Sequence, residues 1–243
     1  MIAYEGLVPG VLLRRYKRFF ADVRLDDGRE VTAHCPNTGS MKSVNVPGCR
    51  VWLSPSDNPK RKLAWTWELI ELPDDDGGIE LASIHTGRAN RIVEAALFAG
   101  QVTPLANFDT LRREVKVDDS RLDFLLEETA SGQRAYLEVK QVTLREDDGL
   151  GYFPASVSTR GLKHLQSLEA LARQGERAVL LFCVARQGID SVGPATHIDP
   201  AYAAGLHAAA AQGVEVLAYA IDVGWEAGAP SSIYLERPVS VRL

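Results

Sequence analysis

The order of helix-like and strand-like segments in the second half of the chain most restricts its fold. Residues 89–99 predict a helix, because Ile92, Ala95, Ala96 and Ala99 recur on one side at helical spacing. Strands are predicted at 111–117, 121–126 and 135–144, then a helix at 160–173, a strand at 177–184, a helix at 201–211 and a strand at 214–221. This order is typical of an α/β domain with a mixed sheet.

The first seventy residues consist mainly of short strand-like stretches. Residues 11–25 contain the first of them, Asp26-Asp27-Gly28 signals a hairpin turn, and residues 30–34 lead back. Together with strands at 51–53 and 64–72, they predict a small closed or half-closed β-barrel. The Asp-Asp-Asp-Gly-Gly run at 74–78 can be a linker or a hairpin tip. We place the domains at residues 1–84 and 85–243.

Composition excludes several classes of protein. The chain has 243 residues, 46% of them hydrophobic, which is enough for one large core or two modest ones. Residues 1–6 show no secretory signal pattern, and the longest apolar stretches are far shorter than the ~20 residues of a membrane helix. Three irregularly spaced cysteines argue against a disulfide framework or a paired-cysteine zinc site. We therefore expect a cytoplasmic protein without a membrane partner.

The charge is distributed unevenly along the chain. The net charge is −5, but residues 1–70 carry 11 Lys and Arg against 7 Asp and Glu, whereas residues 71–243 carry 16 against 25. Phosphate contacts depend on local basic patches, and a metal site needs carboxylates. The distribution is therefore compatible with nucleic-acid binding by the first part and metal binding by the second.

Asp123, Glu138 and Lys140 form the most informative group of polar residues. Asp123 lies near the start of one predicted strand, and Glu138 and Lys140 lie inside the next. Side chains alternate along a strand, so Glu138 and Lys140 project from the same face, and Asp123 can converge on it if the strands are hairpin neighbours. The alternative is an exposed strand carrying an ordinary Glu/Lys pair, which the Glu-X-Lys pattern alone would favour.

These residue types suit phosphodiester hydrolysis with Mg²⁺ or Mn²⁺. Two carboxylates can bind a hard cation, which polarises the phosphate and eases deprotonation of a water. The carbonyl of Val139 is a further candidate ligand, and Lys140 can stabilise the attacking water or the charge on the phosphate oxygens. Glu94, on the preceding helix, is a supporting acidic residue, unless it is simply a surface glutamate. Glu114 is a weaker acidic candidate.

Several polar groups are candidates for contacts with nucleic acid. Arg14, Arg15, Lys17 and Arg18 are interleaved with aromatic residues, although only part of a strand-like run can face one surface. Two further groups are the basic run Lys60, Arg61 and Lys62, and the loop residues Asn37, Thr38 and Lys42. On the helix at 160–173, Lys163 and His164 lie off the predicted leucine stripe of Leu162, Leu165, Leu168 and Leu171. Solubilising surface charges and a simple tight turn are the alternatives.

Five segments resemble the sugar fermentation stimulation protein A family. They are His34-Cys35-Pro36-Asn37-Thr38-Gly39-Ser40-Met41, Asn90-Arg91-Ile92-Val93-Glu94, Ser120-Arg121-Leu122-Asp123-Phe124-Leu125, Glu138-Val139-Lys140-Gln141-Val142-Thr143-Leu144, and Phe153-Pro154-Ala155 with Arg160-Gly161-Leu162-Lys163-His164-Leu165. The resemblance implies an N-terminal barrel like the oligonucleotide-binding (OB) fold and a C-terminal domain of the restriction-endonuclease, PD-(D/E)XK, type. Leu122 stands where a proline often precedes the metal-binding aspartate of such domains.

The resemblance also implies DNA binding and an association with sugar (maltose) utilisation. Three hypotheses follow. The protein is a metal-dependent DNA nuclease using Asp123, Glu138, Lys140 and Glu94, or it is a DNA-binding regulator of sugar-metabolism genes that does not cut. A sugar-metabolising enzyme unrelated to DNA is the third and has the least support, because no glycine-rich phosphate loop or sugar site is visible. A homodimer is left open.

Overall fold

The computed structural model describes all residues from 1 to 243, and its first part is a β-barrel. The strands are β1 (Ile2–Ala3), β2 (Val8–Tyr16), β3 (Phe20–Leu25), β4 (Glu30–His34), β5 (Arg50–Pro55), β6 (Trp65–Pro73) and β7 (Ile79–Ser83). Strands β4, β3, β2, β5 and β6 are neighbours in that order, and a short β4–β6 pairing closes the ring. The predicted barrel is confirmed as a closed five-stranded OB-like barrel, with β7 added beside β6.

Local backbone requirements explain two features of this barrel. Gly10 of β2 lies so close to β3 that an added Cβ would be 2.7 Å from the carbonyl oxygen of Arg24. The β2–β3 hairpin turns at Lys17 and Arg18, which both have positive φ angles. The basic and aromatic run is therefore a strand followed by a turn, and not one continuous strand.

The second part contains three helices and most of a seven-stranded sheet. Its elements are α1 (Thr86–Phe98), β8 (Thr110–Val117), β9 (Ser120–Glu128), β10 (Gln133–Val142), β11 (Leu144–Arg145), β12 (Gly151–Phe153), α2 (Thr159–Arg173), β13 (Arg177–Val184), β14 (Ser191–Pro194), α3 (Pro200–Ala211), β15 (Glu215–Glu226), β16 (Ala229–Pro238) and β17 (Ser240–Val241). The sheet order is β1-β16-β15-β13-β10-β9-β8, and β13 pairs in parallel with β10 and β15. The predicted α/β domain with a mixed sheet is confirmed.

Several strands at the ends and edges were not predicted. Strand β16 continues the sheet beyond β15, and β1 pairs with β16 and not with the barrel. The predicted strand at 135–144 is divided into β10 and β11, and β11, β12, β14 and β17 form a separate small sheet. The run 74–78 is the tip of the β6–β7 hairpin and not a linker. None of the three α-helices has both the length and the apolar composition that crossing a lipid bilayer requires.

Each face of the large sheet has its own apolar core. On one side, α1 packs over strand residues such as Phe124, Leu137 and Leu181. On the other side, α2 and α3 cover a second cluster that includes Leu180 and Phe182. The parallel strand β13 is buried on both faces, as its continuous apolar run predicts.

The barrel shares one of these cores with the sheet domain. Trp52, Leu69 and Leu81 of β5, β6 and β7 belong to the same apolar cluster as α1. The backbone N–H of Ser83 also donates to the carbonyl of Ala185, at 2.8 Å. The two halves are therefore packed together by a continuous interior. The boundary after residue 84 stays a prediction.

A buried ion pair also joins the barrel to α1. Glu68, on β6, is 1% exposed and accepts two hydrogen bonds from the Arg88 guanidinium, one of them 2.7 Å long. The hydroxyl of Ser54 donates to the same carboxylate at 2.7 Å. The Arg88 guanidinium lies 4.7 Å from the ring centroid of Tyr4. This ion pair anchors the first turns of α1 against the barrel.

Candidate metal and nucleic-acid site

Strands β9 and β10 bring Asp123 to the peptide between Glu138 and Lys140. Their backbone pairing reaches Phe124 opposite Leu137. Beyond that pair, the Asp123 carboxylate accepts a hydrogen bond from the N–H of Val139 at 2.8 Å. Its other oxygen accepts from the side-chain amide of Asn90, on α1, at 2.7 Å. At this position the side chain of Asp123, and not the backbone of β9, accepts the hydrogen bond from β10.

Glu138 and Lys140 project together toward α2. The ammonium of Lys140 lies 2.6 Å from Oε1 of Glu138, and Nδ1 of His164 contacts the same oxygen. Lys140 Nζ and His164 Nδ1 are 3.2 Å apart. Glu138 is only 2% exposed, and its second oxygen, Oε2, is buried without a hydrogen-bond partner. An unsatisfied buried carboxylate oxygen is unusual, and such oxygens are found where a ligand binds or at catalytic positions.

The structure corrects the predicted position of His164. It is 5% exposed and faces the sheet, whereas Lys163 beside it is exposed. The buried face of α2 consists of Gly161, His164, Leu165, Leu168 and Leu171, which recur at i, i+3, i+4, i+7 and i+10. Leu162, assigned to the core stripe by its three-residue spacing, is only half-buried. A helical period of 3.6 includes His164 in the buried face, and this signal was present in the sequence.

Burial and neighbouring charge give the two carboxyls different pKa values. Burial, followed by the charge of Glu138, raises the pKa of Asp123 to about 6. Burial alone would raise the pKa of Glu138. Hydrogen bonds and charges from His164 and Lys140 outweigh burial, so the pKa of Glu138 lies below its ordinary value. Glu138 is therefore the carboxyl that stays ionised more readily, and Asp123 ionises near neutral pH.

The raised pKa of Asp123 predicts how the stability of the metal-free protein depends on pH. A carboxyl whose pKa is higher in the folded than in the unfolded chain stabilises the fold below its unfolded pKa, and this stabilisation is lost as pH rises through about 6. Asp123→Asn removes the ionisation. We expect the variant to be more stable than the wild type by about 1–2 kcal/mol near pH 8, and to show little difference near pH 3.5, below the pKa of the unfolded chain.

Urea denaturation with a chelator present, at both pH values, measures this difference. Asn can still bond to the Val139 N–H and to Asn90, whose amide can turn over to supply an acceptor. A variant that is less stable than the wild type at the higher pH would contradict the conclusion that the ionised Asp123 carboxylate destabilises the metal-free fold.

The donor set fits a hard divalent cation. No three Asp, Glu, His or Cys side chains converge on one point. The available oxygens are instead the Asp123 carboxylate, Oε2 of Glu138 and the carbonyl of Val139. The N–H and C=O of one strand residue point to the same side, so this carbonyl faces the edge on which Asp123 lies. Two carboxylates, one peptide oxygen and water are a common ligand set for Mg²⁺ or Mn²⁺.

Glu94 and Glu114 lie beside Asp123 but have different surroundings. All three line one cavity of about 540 Å³. The carboxylate of Glu94 is paired with both ends of the Arg113 guanidinium. Glu114 has a φ angle of 53°, which is strained for a residue with a side chain, and it lies between the β8–β9 pairs that flank Asp123. Glu94 is thus engaged by an arginine.

The four basic residues of the β2–β3 hairpin have different surroundings. Arg15 donates hydrogen bonds to the carbonyl oxygens of Asn37 and Gly39, at 2.9 and 3.0 Å, and so supports the loop of residues 37–41, here called the cleft loop. Arg14 is paired with Asp22 at 2.8 Å. Lys17 and Arg18 are both exposed at the turn.

The cleft loop lies next to Lys140. Asn37 and Thr38 line a cavity of about 350 Å³, here called the loop cavity, together with Val139, Lys140 and Asn90. The structure therefore brings these two predicted binding residues to the predicted metal site. The sequence indicates Asn90 only as part of a family motif. Its hydrogen bond to Asp123 holds that carboxylate in position.

The remaining basic candidates lie outside the loop cavity. Lys42 is 3.7 Å from Glu146. Arg61 donates to the hydroxyl of Thr66 and borders a separate cavity of about 240 Å³ with Lys62. Lys60 is exposed near them, and Lys163 is exposed on α2. None of these five residues lines the loop cavity or the cavity beside Asp123.

Family models match most of the chain. The sugar fermentation stimulation protein restriction-endonuclease (RE) domain matches residues 87–227, and the SfsA N-terminal OB domain matches residues 13–78. A sugar fermentation stimulation protein homolog of Chromohalobacter salexigens is 61% identical over 241 residues, which cover 99% of this chain and 94% of that protein. A homolog from Shewanella sp. strain MR-4 is 53% identical over 240 residues and 98% of both chains.

A solved structure shows the same architecture. The Pyrococcus furiosus SfsA structure, determined in complex with Ca²⁺, superposes with a TM-score of 0.86 and 27% sequence identity over 100% of both chains. The closed OB barrel, the mixed sheet and the two matching family models agree over nearly the whole length. The chain belongs to the sugar fermentation stimulation protein A (SfsA) family.

Proposed function

We propose that the protein binds DNA and hydrolyses a phosphodiester bond with a divalent cation. One observation carries this proposal: Asp123 lies against the Val139 peptide, between Glu138 and Lys140, while Oε2 of Glu138 has no partner. This places two carboxylates, a peptide carbonyl and an ammonium at the same end of β9 and β10. Carboxylates that can bind a cation next to a lysine supply what metal-dependent phosphodiester hydrolysis uses, a polarising ion and a positive charge beside the phosphate.

Each residue has a defined role in this proposal. Asp123, Glu138 and the Val139 carbonyl would hold the cation, which supplies phosphate polarisation and an activated water when bound. Asn90 fixes the Asp123 carboxylate through its 2.7 Å hydrogen bond. His164 and Lys140 keep Glu138 ionised, and the Lys140 ammonium can move from Glu138 to the phosphate oxygens when the cation neutralises the carboxylate.

The Pyrococcus furiosus relative supports the choice of cation class. Its structure contains Ca²⁺, which prefers oxygen ligands as Mg²⁺ does. We propose Mg²⁺ or Mn²⁺ as the active ion, because their octahedral geometry suits two carboxylates, one carbonyl and several waters. The barrel, assigned to residues 1–84, would hold DNA beside the site in residues 85–243. In this scheme Glu94 stabilises the site through Arg113 and does not bind the cation.

The decisive experiment is cleavage of labelled single-stranded and duplex DNA by the purified protein with Mg²⁺, Mn²⁺ or a chelator. We expect cleavage with Mg²⁺ or Mn²⁺ only. Lys140→Met should reduce the rate by about 10²–10³-fold while preserving most of the side-chain volume, because it removes the positive charge beside the reacting phosphate.

Lys116→Met is the matched control, since Lys116 is an exposed lysine on β8 that lines neither cavity. Its cleavage rate should stay close to that of the wild type. Cleavage that is unchanged by Lys140→Met would indicate a contaminating nuclease. DNA binding with steep salt dependence but without cleavage would favour the second hypothesis, a regulator that does not cut.

A further inference from the structure

We propose that the loop cavity binds an unpaired DNA strand, and that this strand continues past Asn90 over Arg91 and Arg160. This inference rests on the proposed function and names its substrate class as single-stranded DNA or an unpaired end. The cavity beside Asp123, lined by Arg91, Arg113 and Arg160, is here called the arginine cavity.

The lining of the loop cavity suits a nucleotide. Its volume of about 350 Å³ lies at the lower end of the range for sites that bind small molecules, and a single nucleotide is such a ligand. No acidic side chain lines it, and Lys140 is its only cation. Hydroxyl and amide groups from Thr38, Ser156 and Asn37 face it, together with apolar surface. An anionic ligand with an apolar base would meet no repelling charge there.

A hydrogen bond joins two segments that line the loop cavity, the cleft loop and the segment containing Ala155. The hydroxyl of Ser40, in the cleft loop, donates to the carbonyl of Ala155 at 2.7 Å, although the two residues are 115 positions apart. Just before this loop, the carbonyl oxygen of Pro36 accepts a hydrogen bond of 2.8 Å from the hydroxyl of Thr86. These bonds hold the cleft loop against the sheet domain. A cavity of about 350 Å³ between these joined walls has room for one unpaired nucleotide and not for a duplex.

The side chain of Val157 adds an apolar contact at the rim. It is 73% exposed and lines the loop cavity on the segment that follows Ala155. An isolated exposed valine needs no explanation by itself. At the rim of a polar cavity, however, it offers a surface against which an unpaired base can pack.

The arginine cavity provides the continuation of the strand. The two cavities share Thr86 and Asn90, so they meet beside Asp123. Arg91 and Arg160 form no salt bridge with any carboxylate, unlike Arg113, which is paired with Glu94. The Nε–H of Arg160 donates a long hydrogen bond of 3.4 Å to Nε2 of His164. Guanidinium groups without a carboxylate partner, beside a cation site, are suited to phosphate oxygens. A backbone lying over both cavities would place one phosphate next to Asp123 and Lys140.

The test is DNA binding by fluorescence anisotropy in Ca²⁺, with cleavage followed separately in Mg²⁺. The probes are a labelled oligothymidylate of about 15 nucleotides and a blunt duplex of about the same length. Thr38→Glu and Ser156→Glu introduce a carboxylate at exposed positions of the loop cavity. Gln101→Glu makes the same charge change at an exposed position outside both cavities. Thermal unfolding of each variant checks that the fold is retained.

We expect the single strand to bind at least about tenfold more tightly than the duplex, and each loop-cavity variant to weaken single-strand binding about tenfold. Gln101→Glu should bind like the wild type. Combined Arg91→Ala and Arg160→Ala should reduce the slope of log affinity against log salt by about 1.4, corresponding to two lost phosphate contacts.

Equal or tighter binding of the blunt duplex, or loop-cavity variants that bind like Gln101→Glu, would overturn the inference. Its failure is distinguishable from that of the proposed function. Duplex preference accompanied by metal-dependent cleavage would overturn this inference alone. Single-strand preference with the expected variant effects but no cleavage would support it and overturn the phosphodiesterase. Absence of binding to either DNA would overturn both.

Discussion

Replacing Arg88 by methionine is expected to lower the free energy of unfolding by about 3–5 kcal/mol. The substitution keeps much of the side-chain volume but leaves the Glu68 carboxylate buried without its cation, since Glu68 is 1% exposed. Only the Ser54 hydroxyl would then remain as a side-chain donor to this carboxylate. Urea denaturation at neutral pH, followed by circular dichroism and tryptophan fluorescence, measures the loss.

Arg14→Met is a closely matched control. Arg14 also pairs with a carboxylate, that of Asp22, and lies 4.8 Å from the ring centroid of a tyrosine, but its side chain is 69% exposed. We expect this variant to unfold at nearly the same urea concentration as the wild type, because solvent screens an exposed ion pair. The double variant Arg88→Met, Glu68→Leu should recover most of the stability, because no unpaired charge remains. A loss at Arg88 no larger than that at Arg14 would refute the assigned role of the ion pair.

Glu138→Gln is expected to abolish divalent-ion binding and to reduce DNA cleavage by at least about 10³-fold, equivalent to about 4 kcal/mol of transition-state stabilisation. The change removes the negative charge next to Lys140 and replaces one carboxylate oxygen with an amide nitrogen, which cannot bind a cation. The rise in melting temperature with added Ca²⁺ reports ion binding directly. Single-turnover cleavage in Mg²⁺ reports the chemistry.

Glu94→Gln provides the comparison for this effect. Glu94 lines the same cavity as Asp123, but Arg113 already engages its carboxylate. We expect this variant to retain Ca²⁺ stabilisation and to lose no more than about tenfold in cleavage, the lower range for a residue that supports ligands indirectly. If Glu94→Gln abolished the Ca²⁺ effect and Glu138→Gln did not, the cation ligand would be Glu94 on α1 and not Glu138 on β10.

Sequence periodicity predicted five strands of the large sheet, β8, β9, β10, β13 and β15, and the central residue group, because both depend on local rules. Glu138 and Lys140 are two residues apart in a strand, which places them on one face. Asp123 lies in β9, the hairpin partner of that strand, and antiparallel neighbours bring such positions together. The pairing register was not predictable from spacing alone.

Long-range docking was not predictable in this way. The contact between Ser40 and Ala155 depends on how the barrel packs on the sheet, and no periodic pattern encodes it. Strand β1 reaches the far edge of the other sheet for the same reason. His164 was a different case, because its helical position indicated burial and its polarity suggested solvent exposure. The contacts with Glu138 and Lys140 explain why a polar ring is tolerated there.

The common interior of barrel and sheet bears on how such proteins can diverge between lineages. Trp52, Leu69 and Leu81 fill the same packing as α1, so a transplanted barrel would have to bring side chains of matching shape. A recombination event between genes that exchanged only one half would leave gaps or clashes along this seam. We therefore expect the two halves to be inherited together. A substitution on one side of this interface should be followed by a compensating substitution on the other side.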